Sequence, residues 1–330
     1  MSIEVRHLVK KYGDHYAVND LSFQLESGRI YGLLGPNGAG KSTTMNMMTG
    51  YIASTSGEVI INGHNILTEP REAKRCIGYL PEIPPLYADM TVIEYLLTVA
   101  QLKKIPKAEQ GKMLEEIMDT VKISQMRNRL IKNLSKGYKQ RVGIAQALVG
   151  YPEIVILDEP TVGLDPKQII EIRDLVKGLS QKHTVIISSH ILSEVSAVCD
   201  DILIINKGRL IAFDRAENLG SMFHGQNKLE LVVEGAKDSI QDVLKSFEEI
   251  QYADVTPAQE QPGAFRIDLK MREDTDIRRE LFFRFAEIGC PILELRKHQI
   301  SLEDIFLKLT EPEKRNADRQ EGRNRNDWGL

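Results

Sequence analysis

A glycine-rich stretch near the N-terminus has the residue types and spacing of a phosphate-binding loop. Residues 35–43 fit the pattern G-x-x-x-x-G-K-S/T. The glycines of such a loop let backbone N–H groups point inward at a polyphosphate, and the following helix adds partial positive charge. In this pattern Lys41 reaches the β- and γ-phosphates, and the Ser42 hydroxyl binds Mg²⁺. The sequence therefore predicts an ATP-type triphosphate site formed by Gly35, Pro36, Asn37, Gly38, Ala39, Gly40, Lys41, Ser42 and Thr43.

Two acidic residues follow an aliphatic run later in the chain. Residues 154–157 read Ile-Val-Ile-Leu, and Asp158 and Glu159 come directly after them. Such a run is typical of a central parallel strand, and ligands of open α/β sheets bind at the carboxyl edge of the strands. We expect Asp158 to bind Mg²⁺ and Glu159 to polarise the attacking water. The alternative is a structural ion pair, but no basic residue is adjacent in the sequence.

A histidine and two tyrosines are further candidates. His190 follows a buried strand predicted over residues 184–189, so it is expected at the same sheet edge as Glu159, within reach of a γ-phosphate. A lone histidine can instead be a surface or core residue. Tyr12 or Tyr16 could stack on a purine base beside the loop, although a tyrosine at a strand end often packs in the core.

The elements around these residues indicate an α/β protein. Residues 29–34 before the loop are predicted to form a buried strand, and residues 42–49 after it a helix, which is the context that the phosphate-loop pattern requires. Alternating residues 2–8 and 21–25 predict antiparallel strands. A helical region is predicted to begin after Glu82, with a turn over residues 134–141 leading into a helix over residues 142–149.

The domain prediction has three parts. Residues 1–222 are expected to form the nucleotide-binding domain, with a helical subdomain at about 83–150. Strands and helices start afresh over 227–310, which predicts a small α+β accessory domain. Residues 311–330 mix charged residues with Asn, Gly and Gln, and this predicts a disordered tail.

Composition narrows the functional class. Hydrophobic residues make up 42% and charged residues 27% of the chain, and the net charge is −4. These values are typical of a globular protein and show no basic footprint for nucleic acid. The three cysteines have no metal-binding spacing, and neither a signal peptide nor a membrane-spanning run is present. We therefore expect a cytoplasmic protein that has no nucleic-acid partner.

The order of these motifs resembles the ATP-binding subunit of ABC transporters over about residues 2–220. The order is a phosphate loop, a strand ending in Pro-Glu, an L-S-x-G turn, an aliphatic strand ending in Asp-Glu, a G-L-D turn and a histidine after a strand. Residues 134–141, L-S-K-G-Y-K-Q-R, and residues 301–306 are similar to a subgroup that works with type-2 export permeases. Members of that subgroup serve drug, sodium, polysaccharide and gliding-motility systems.

The resemblance implies a P-loop NTPase core with an antiparallel β subdomain and a helical subdomain. It also implies that two copies enclose two ATP molecules and power a separate membrane permease, with this chain peripheral on the inner face of the plasma membrane. Tyr12 and Val18 are then nucleotide contacts, His190 is a switch residue and Asp165 couples the two sites across the dimer. The contacts to the nucleotide held by the second copy are Ser135, Lys136, Gly137 and Tyr138.

Two positions depart from the usual family pattern. Glu82 stands where most members have glutamine; it is still expected to meet Mg²⁺, but it adds a negative charge beside the triphosphate. Lys136 and Tyr138 replace the glycine and glutamine of the commonest signature. Lys136 could contact a phosphate or simply be solvated.

The sequence is also compatible with two other functions. One is a soluble ABC-type ATPase that acts on nucleic acid or ribosomes, and another is a small-molecule kinase with a phosphate loop. The single ATPase module and the lack of basic excess argue against the first. The L-S-x-G turn and the histidine have no role in the second. Residues 84–87, Pro-Pro-Leu-Tyr, are expected to line a groove for a cytoplasmic helix of the permease.

Overall fold

The computed structural model describes residues 2–221, 228–258, 262–272 and 275–298. These residues divide into two compact units, with the boundary between Ala216 and Glu217. The 301–306 motif and the predicted disordered tail lie outside the described residues. Among the described helices, none combines the length and apolar character needed to cross a membrane.

The first unit contains ten strands and seven α-helices among its described residues. Its strands are β1 (Ile3–Tyr12), β2 (His15–Leu25), β3 (Ile30–Leu34), β4 (Ser56–Ile61), β5 (His64–Asn65), β6 (Ile77–Leu80), β7 (Ile154–Leu157), β8 (Thr184–Ser189), β9 (Asp201–Asn206) and β10 (Arg209–Arg215). Its α-helices are α1 (Lys41–Met48), α2 (Pro70–Arg75), α3 (Val92–Leu102), α4 (Lys107–Thr120), α5 (Lys136–Leu148), α6 (Pro166–Leu179) and α7 (Leu192–Ser196). A further helix, α8 (Ala216–Ser221), spans the boundary between the two units.

The central sheet of this unit has the strand order β10-β9-β3-β8-β7-β6. Every neighbouring pair in it is parallel except β10 with β9. Strands β3, β8 and β7 are adjacent, so the segments that follow them begin at one edge of the sheet. Because the carboxyl ends of parallel strands share an edge, the phosphate loop, the Asp158-Glu159 pair and His190 are brought together there.

A separate sheet with the order β2-β1-β4-β5 is antiparallel throughout. The helical region that follows Glu82 contains α3, α4 and α5, as predicted. Helix α3 begins with a capping box, in which Thr91 accepts from the Glu94 N–H and Glu94 accepts in return from the Thr91 N–H.

The start of α5 differs from the sequence prediction, which began this helix at residue 142. The helix begins at Lys136, because Ser135 caps it by accepting from the Tyr138 N–H at 3.5 Å. Gly137 therefore lies in the first turn of a helix and not in a loop. The Ser-Gly pair indicated a turn, but the helix-capping preference of the serine decides the local structure.

The second unit has four strands and two helices among its described residues. They are β11 (Lys228–Glu234), α9 (Lys237–Lys245), β12 (Ile250–Pro257), β13 (Ala264–Met271), α10 (Arg278–Glu287) and β14 (Ile292–His298), and the sheet order is β12-β13-β11-β14. All pairs are antiparallel. Strand β12 was missed from the sequence because it is an edge strand whose residues are all exposed or half-buried, so it has no clear apolar face.

Candidate nucleotide-binding site

The phosphate loop connects β3 to α1 and depends on glycine at two close approaches. A Cβ atom on Gly40 would lie 2.4 Å from the Ala17 carbonyl oxygen, and one on Gly35 would lie 2.3 Å from the Ile205 carbonyl oxygen. Gly40 also has a φ of 105°, in the left-handed region that favours glycine. The loop is therefore wedged against β2 and β9, and its shape is set by backbone contacts.

Lys41 lies across the loop and meets an acidic residue. Its Nζ donates to the Gly35 carbonyl at 2.8 Å and lies 3.4 Å from Glu159 Oε1. The two side chains are only 6% and 8% exposed. The sequence argument that no basic residue is adjacent to the Asp-Glu pair is therefore wrong in three dimensions, since Lys41 is a direct neighbour of Glu159.

Glu159 is held from two sides. His190 Nδ1 lies 3.0 Å from Glu159 Oε2, while Lys41 lies near the other carboxylate oxygen. The backbone of Glu159 has a φ of 48°, which is uncommon for a residue with a side chain. Residues in this region are often found at functional sites, where surrounding contacts maintain the strain. The arrangement aims a carboxylate into the site between a cation and an imidazole.

Asp158 is buried beneath Ser42. Its Oδ1 accepts from Ser188 Oγ at 2.5 Å and from Ser42 Oγ at 3.3 Å. Burial raises the pKa of Asp158, and the two hydroxyl donors act in the opposite direction. A buried carboxylate beside a hydroxyl is a donor set of hard oxygens, which suits Mg²⁺. Ser42, Asp158 and Glu82 line one cavity next to the phosphate loop, and together they fit a magnesium ion.

Ser188 is a functional residue that the sequence argument did not identify. Its hydroxyl donates to Asp158 and accepts from the Glu159 N–H at 2.8 Å. It therefore connects the neighbouring strand β8 to both acidic residues. The sequence feature that could have pointed to Ser188 is its place near the end of a largely aliphatic predicted strand.

A cavity of about 490 Å³ opens above the phosphate loop. It is lined by His15, Ala17, Asn37, Gly38, Ala39, Gly40, Lys41, Ser42, Thr43, Glu82, Glu159, Val162 and His190. The predicted residues Gly35, Pro36 and Asp158 do not line it and lie beneath, where the Gly35 and Pro36 carbonyls accept from Lys41 Nζ.

The prediction for Val18 is not supported by its position. The Val18 side chain is fully buried in the core, whereas the preceding residue, Ala17, lines the cavity. Side chains alternate along a strand, so a shift of one residue moves a side chain from the cavity to the core. Tyr12 and Tyr16 are both exposed on the β1–β2 hairpin, and His15 at its tip is the cavity residue that sequence reasoning missed.

The signature residues stand apart from this cavity. Within residues 2–221, none of Ser135, Lys136, Gly137 and Tyr138 lines it, and neither does Asp165. Asp165 caps α6 by accepting from the Gln168 N–H at 2.9 Å. One chain thus assembles a phosphate loop, two acidic residues and a histidine. Its signature residues do not line the cavity, whereas Val162, directly before the G-L-D turn, does.

Comparison with known proteins gives a consistent family. A sequence model described as ABC transporter matches residues 18–162. The chain is 36% identical over 318 residues to the bacitracin transport ATP-binding protein BcrA of Bacillus licheniformis, covering 93% of this chain and 96% of that protein. It is 33% identical over 309 residues to the linearmycin resistance ATP-binding protein LnrL of Bacillus subtilis, covering 93% of this chain and 98% of that protein.

Solved structures agree with this result. An ATP-binding subunit of an ABC transporter aligns with a TM-score of 0.62 and 30% identity, over 68% of this chain and 93% of that chain. A dimeric structure of the bacterial ABC transporter cassette MJ0796 aligns with a TM-score of 0.59 and 26% identity, over 65% of this chain and 98% of that chain.

Proposed function

This chain belongs to the ABC transporter family as an ATP-hydrolysing subunit that powers a membrane permease, and we propose that each of its active sites is shared by two copies of the chain. The observation that carries the proposal is that, within one copy, the signature residues do not line the cavity that contains Lys41, Glu159 and His190. The signature residues of a second copy complete the site. The dimeric cassette MJ0796 provides a precedent for such pairing.

In the proposed site the phosphate loop holds the triphosphate. Lys41 and the N-terminal end of α1 neutralise phosphate charge, and Tyr12 stacks on the adenine. Ser42, Asp158 and Glu82 hold Mg²⁺, which when bound screens the negative charge of the β- and γ-phosphates. Catalysis of this kind consists mainly of positioning and charge stabilisation.

Glu159 is the general base for the attacking water. Its carboxylate accepts a proton from the attacking water, because it is the acidic side chain that enters the cavity beside Lys41. His190 holds the other carboxylate oxygen at 3.0 Å and fixes its orientation. Ser188 maintains the backbone of Glu159 in its strained conformation through the 2.8 Å bond.

The second copy closes the site with its signature turn, which we define as residues 135–138. Ser135 and Gly137 lie at the N-terminal end of α5, where free N–H groups favour an anion. We assign Ser135, Lys136, Gly137 and Tyr138 to the γ-phosphate of the partner-held ATP, and Asp165 to coupling between the two sites.

A shared site has a kinetic consequence that tests the proposal. Turnover requires two copies, so the specific ATPase activity of the purified chain should rise with protein concentration until the dimer is saturated. The measurement is ATPase rate per mole of chain across a dilution series at saturating Mg-ATP. A specific activity that is independent of concentration, with the chain monomeric by light scattering throughout, would rule out a shared site.

The names of the relatives suggest a class of transported molecule. The relatives described above are named for bacitracin transport and linearmycin resistance, and we propose that this chain powers export of a comparable antimicrobial compound. Neither name refers to nucleic acid or ribosomes. The permease would hold the chain at the cytoplasmic face of the plasma membrane.

The permease groove lies beside the segment that follows Glu82. A cavity of about 680 Å³ is lined by Pro81, Ile83 and Pro85 together with residues of α1, β6 and α5. Ser42, Glu82 and Asp158, which we assign to Mg²⁺, also line it, so the segment borders the metal site. The adjacent Tyr87 is 57% exposed and packs edge-on against Tyr95, with ring centroids 5.9 Å apart. The Tyr95 hydroxyl donates to the Pro85 carbonyl at 3.3 Å, which fixes the segment on α3.

Replacing Tyr87 with alanine should weaken the hold on the permease. Large exposed aromatic residues frequently dominate binding energy, and truncating one costs about 2 kcal/mol or more, which is roughly 30-fold in affinity. The measurement is the amount of permease that co-purifies with tagged chain. Tyr252→Ala is a matched control, since Tyr252 is 61% exposed in the second unit. Undiminished permease recovery with Tyr87→Ala would remove this segment from the interface.

A further inference from the structure

A glycine of the signature turn is covered by a side chain of its own protomer. A Cβ atom built on Gly137 would lie 2.6 Å from Gln168 Cδ, 2.7 Å from Oε1 and 2.9 Å from Nε2. Gly137 is buried although it lies in the first turn of α5. The space that a side chain would occupy here is therefore filled from within the molecule by the carboxamide of α6.

Gln168 is itself tied to the residue assigned to coupling. Its backbone N–H donates to Asp165 Oδ1 at 2.9 Å, in the N-cap of α6. A single residue thus contacts the signature turn through its side chain and Asp165 through its backbone. We define the coupling turn as residues 161–165.

Two further contacts join the same segments on either side of Gln168. The Lys136 ammonium lies against Gly163, where a Cβ atom would be 2.0 Å from Nζ, and Gly163 has a φ of 68°. Arg141 Nη2 pairs with Glu171 Oε2 at 2.5 Å, and Arg141 is only 6% exposed. The three contacts, Lys136 with Gly163, Gly137 with Gln168 and Arg141 with Glu171, occur in the same order along both segments. The start of α5 is therefore packed along the coupling turn and the start of α6.

Lys136 is exposed, and its ammonium lies against the coupling turn. No acidic residue lies in the first turn of α5 to offset a cation there, although a cation at a helix N-terminus is unfavourable. A role in joining the two turns accounts for its position.

We propose that Gln168 is a positioning residue that joins the signature turn and the coupling turn of one protomer into a single rigid body. The inference rests on the shared site proposed above. When the signature turn closes on the nucleotide held by the partner, the Gln168 contact carries Asp165 with it. Occupancy of one site is thereby transmitted to the other, and cooperativity between the two ATP molecules depends on this side chain.

A double-mutant cycle tests the contact. The variants are Gly137→Ala, Gln168→Ala and the combination of both, in the full chain. The alanine at Gly137 displaces the flexible end of Gln168, and it favours helix formation, so the fold is retained. The readouts are the ATP concentration for half-maximal dimerisation, the Hill coefficient of the ATPase and the melting temperature.

Each single variant should weaken ATP-driven dimerisation by about fivefold and bring the Hill coefficient towards one, with an unchanged melting temperature. The double variant should be no worse than Gly137→Ala alone, because Gly137→Ala already loses the Gln168 contact. Gln168→Met has similar length and fills the same space, so it should retain cooperativity. Gly111→Ala is the control, since nothing lies within 4 Å of its added Cβ.

Losses that add in the double variant would mean that Gly137 and Gln168 act independently, and the inference would be wrong. It would also be wrong if Gln168→Ala kept wild-type dimerisation and Hill coefficient. Failure of the shared site looks different, because in that case the wild-type chain would not dimerise with ATP in the same assay.

Discussion

Replacing Glu159 with glutamine is expected to lower ATP hydrolysis by about 10²–10⁴-fold, the usual effect of removing a general base. Glutamine has the size of glutamate and can keep the contacts to Lys41 and His190, but it cannot accept a proton from water. ATP binding should persist, because the phosphate loop and Asp158 are untouched. The variant should therefore accumulate as an ATP-bound dimer, which size-exclusion chromatography with and without Mg-ATP will detect.

Glu153→Gln is the matched control for this experiment. Glu153 immediately precedes β7, at the opposite end of the strand from Glu159, and it is exposed. Its substitution should leave the hydrolysis rate unchanged. If Glu159→Gln hydrolysed ATP at the wild-type rate, the general base would have to be another group. His190, whose Nδ1 lies 3.0 Å from Glu159 Oε2, would then be the next candidate.

Replacing Ser135 with arginine is expected to abolish ATP-driven dimerisation. Ser135 is exposed at the N-cap of α5, on the turn that we assign to the partner's nucleotide. A long side chain there keeps the two copies apart, and the hydroxyl contact is lost. Removing one group that stabilises a transition-state charge typically costs about 10²–10³ in rate, so turnover should fall by at least that range.

The cost of this substitution to the fold should be small by comparison. Losing a serine N-cap destabilises a helix by about 0.5–2 kcal/mol. Ser135→Ala separates the two effects, since it removes the cap without adding bulk. Ser239→Arg, at an exposed serine in the first turn of α9, controls for an added arginine. Full dimerisation and turnover in Ser135→Arg would show that no composite pocket exists, and the shared-site proposal would be abandoned.

The sequence alone determined the chemistry that resides in contiguous residues. The phosphate loop needs its glycines, lysine and serine in one stretch. The Asp158-Glu159 pair follows the aliphatic strand β7, and His190 follows β8. Parallel strands deliver their carboxyl ends to one edge, so local patterns sufficed to predict that these groups converge. The confirmed family and the order β3-β8-β7 in the sheet agree with that prediction.

Only the tertiary structure decided which side chains touch. The 3.4 Å contact between Lys41 and Glu159, the bridge through Ser188, and the Gln168 side chain over Gly137 join residues far apart in the chain. Such contacts depend on strand order and helix register, which no local pattern encodes. The positions of Val18 and Ala17 have the same origin. A shift of one residue along a strand decides whether a side chain lies in the core, as Val18 does, or lines the cavity, as Ala17 does.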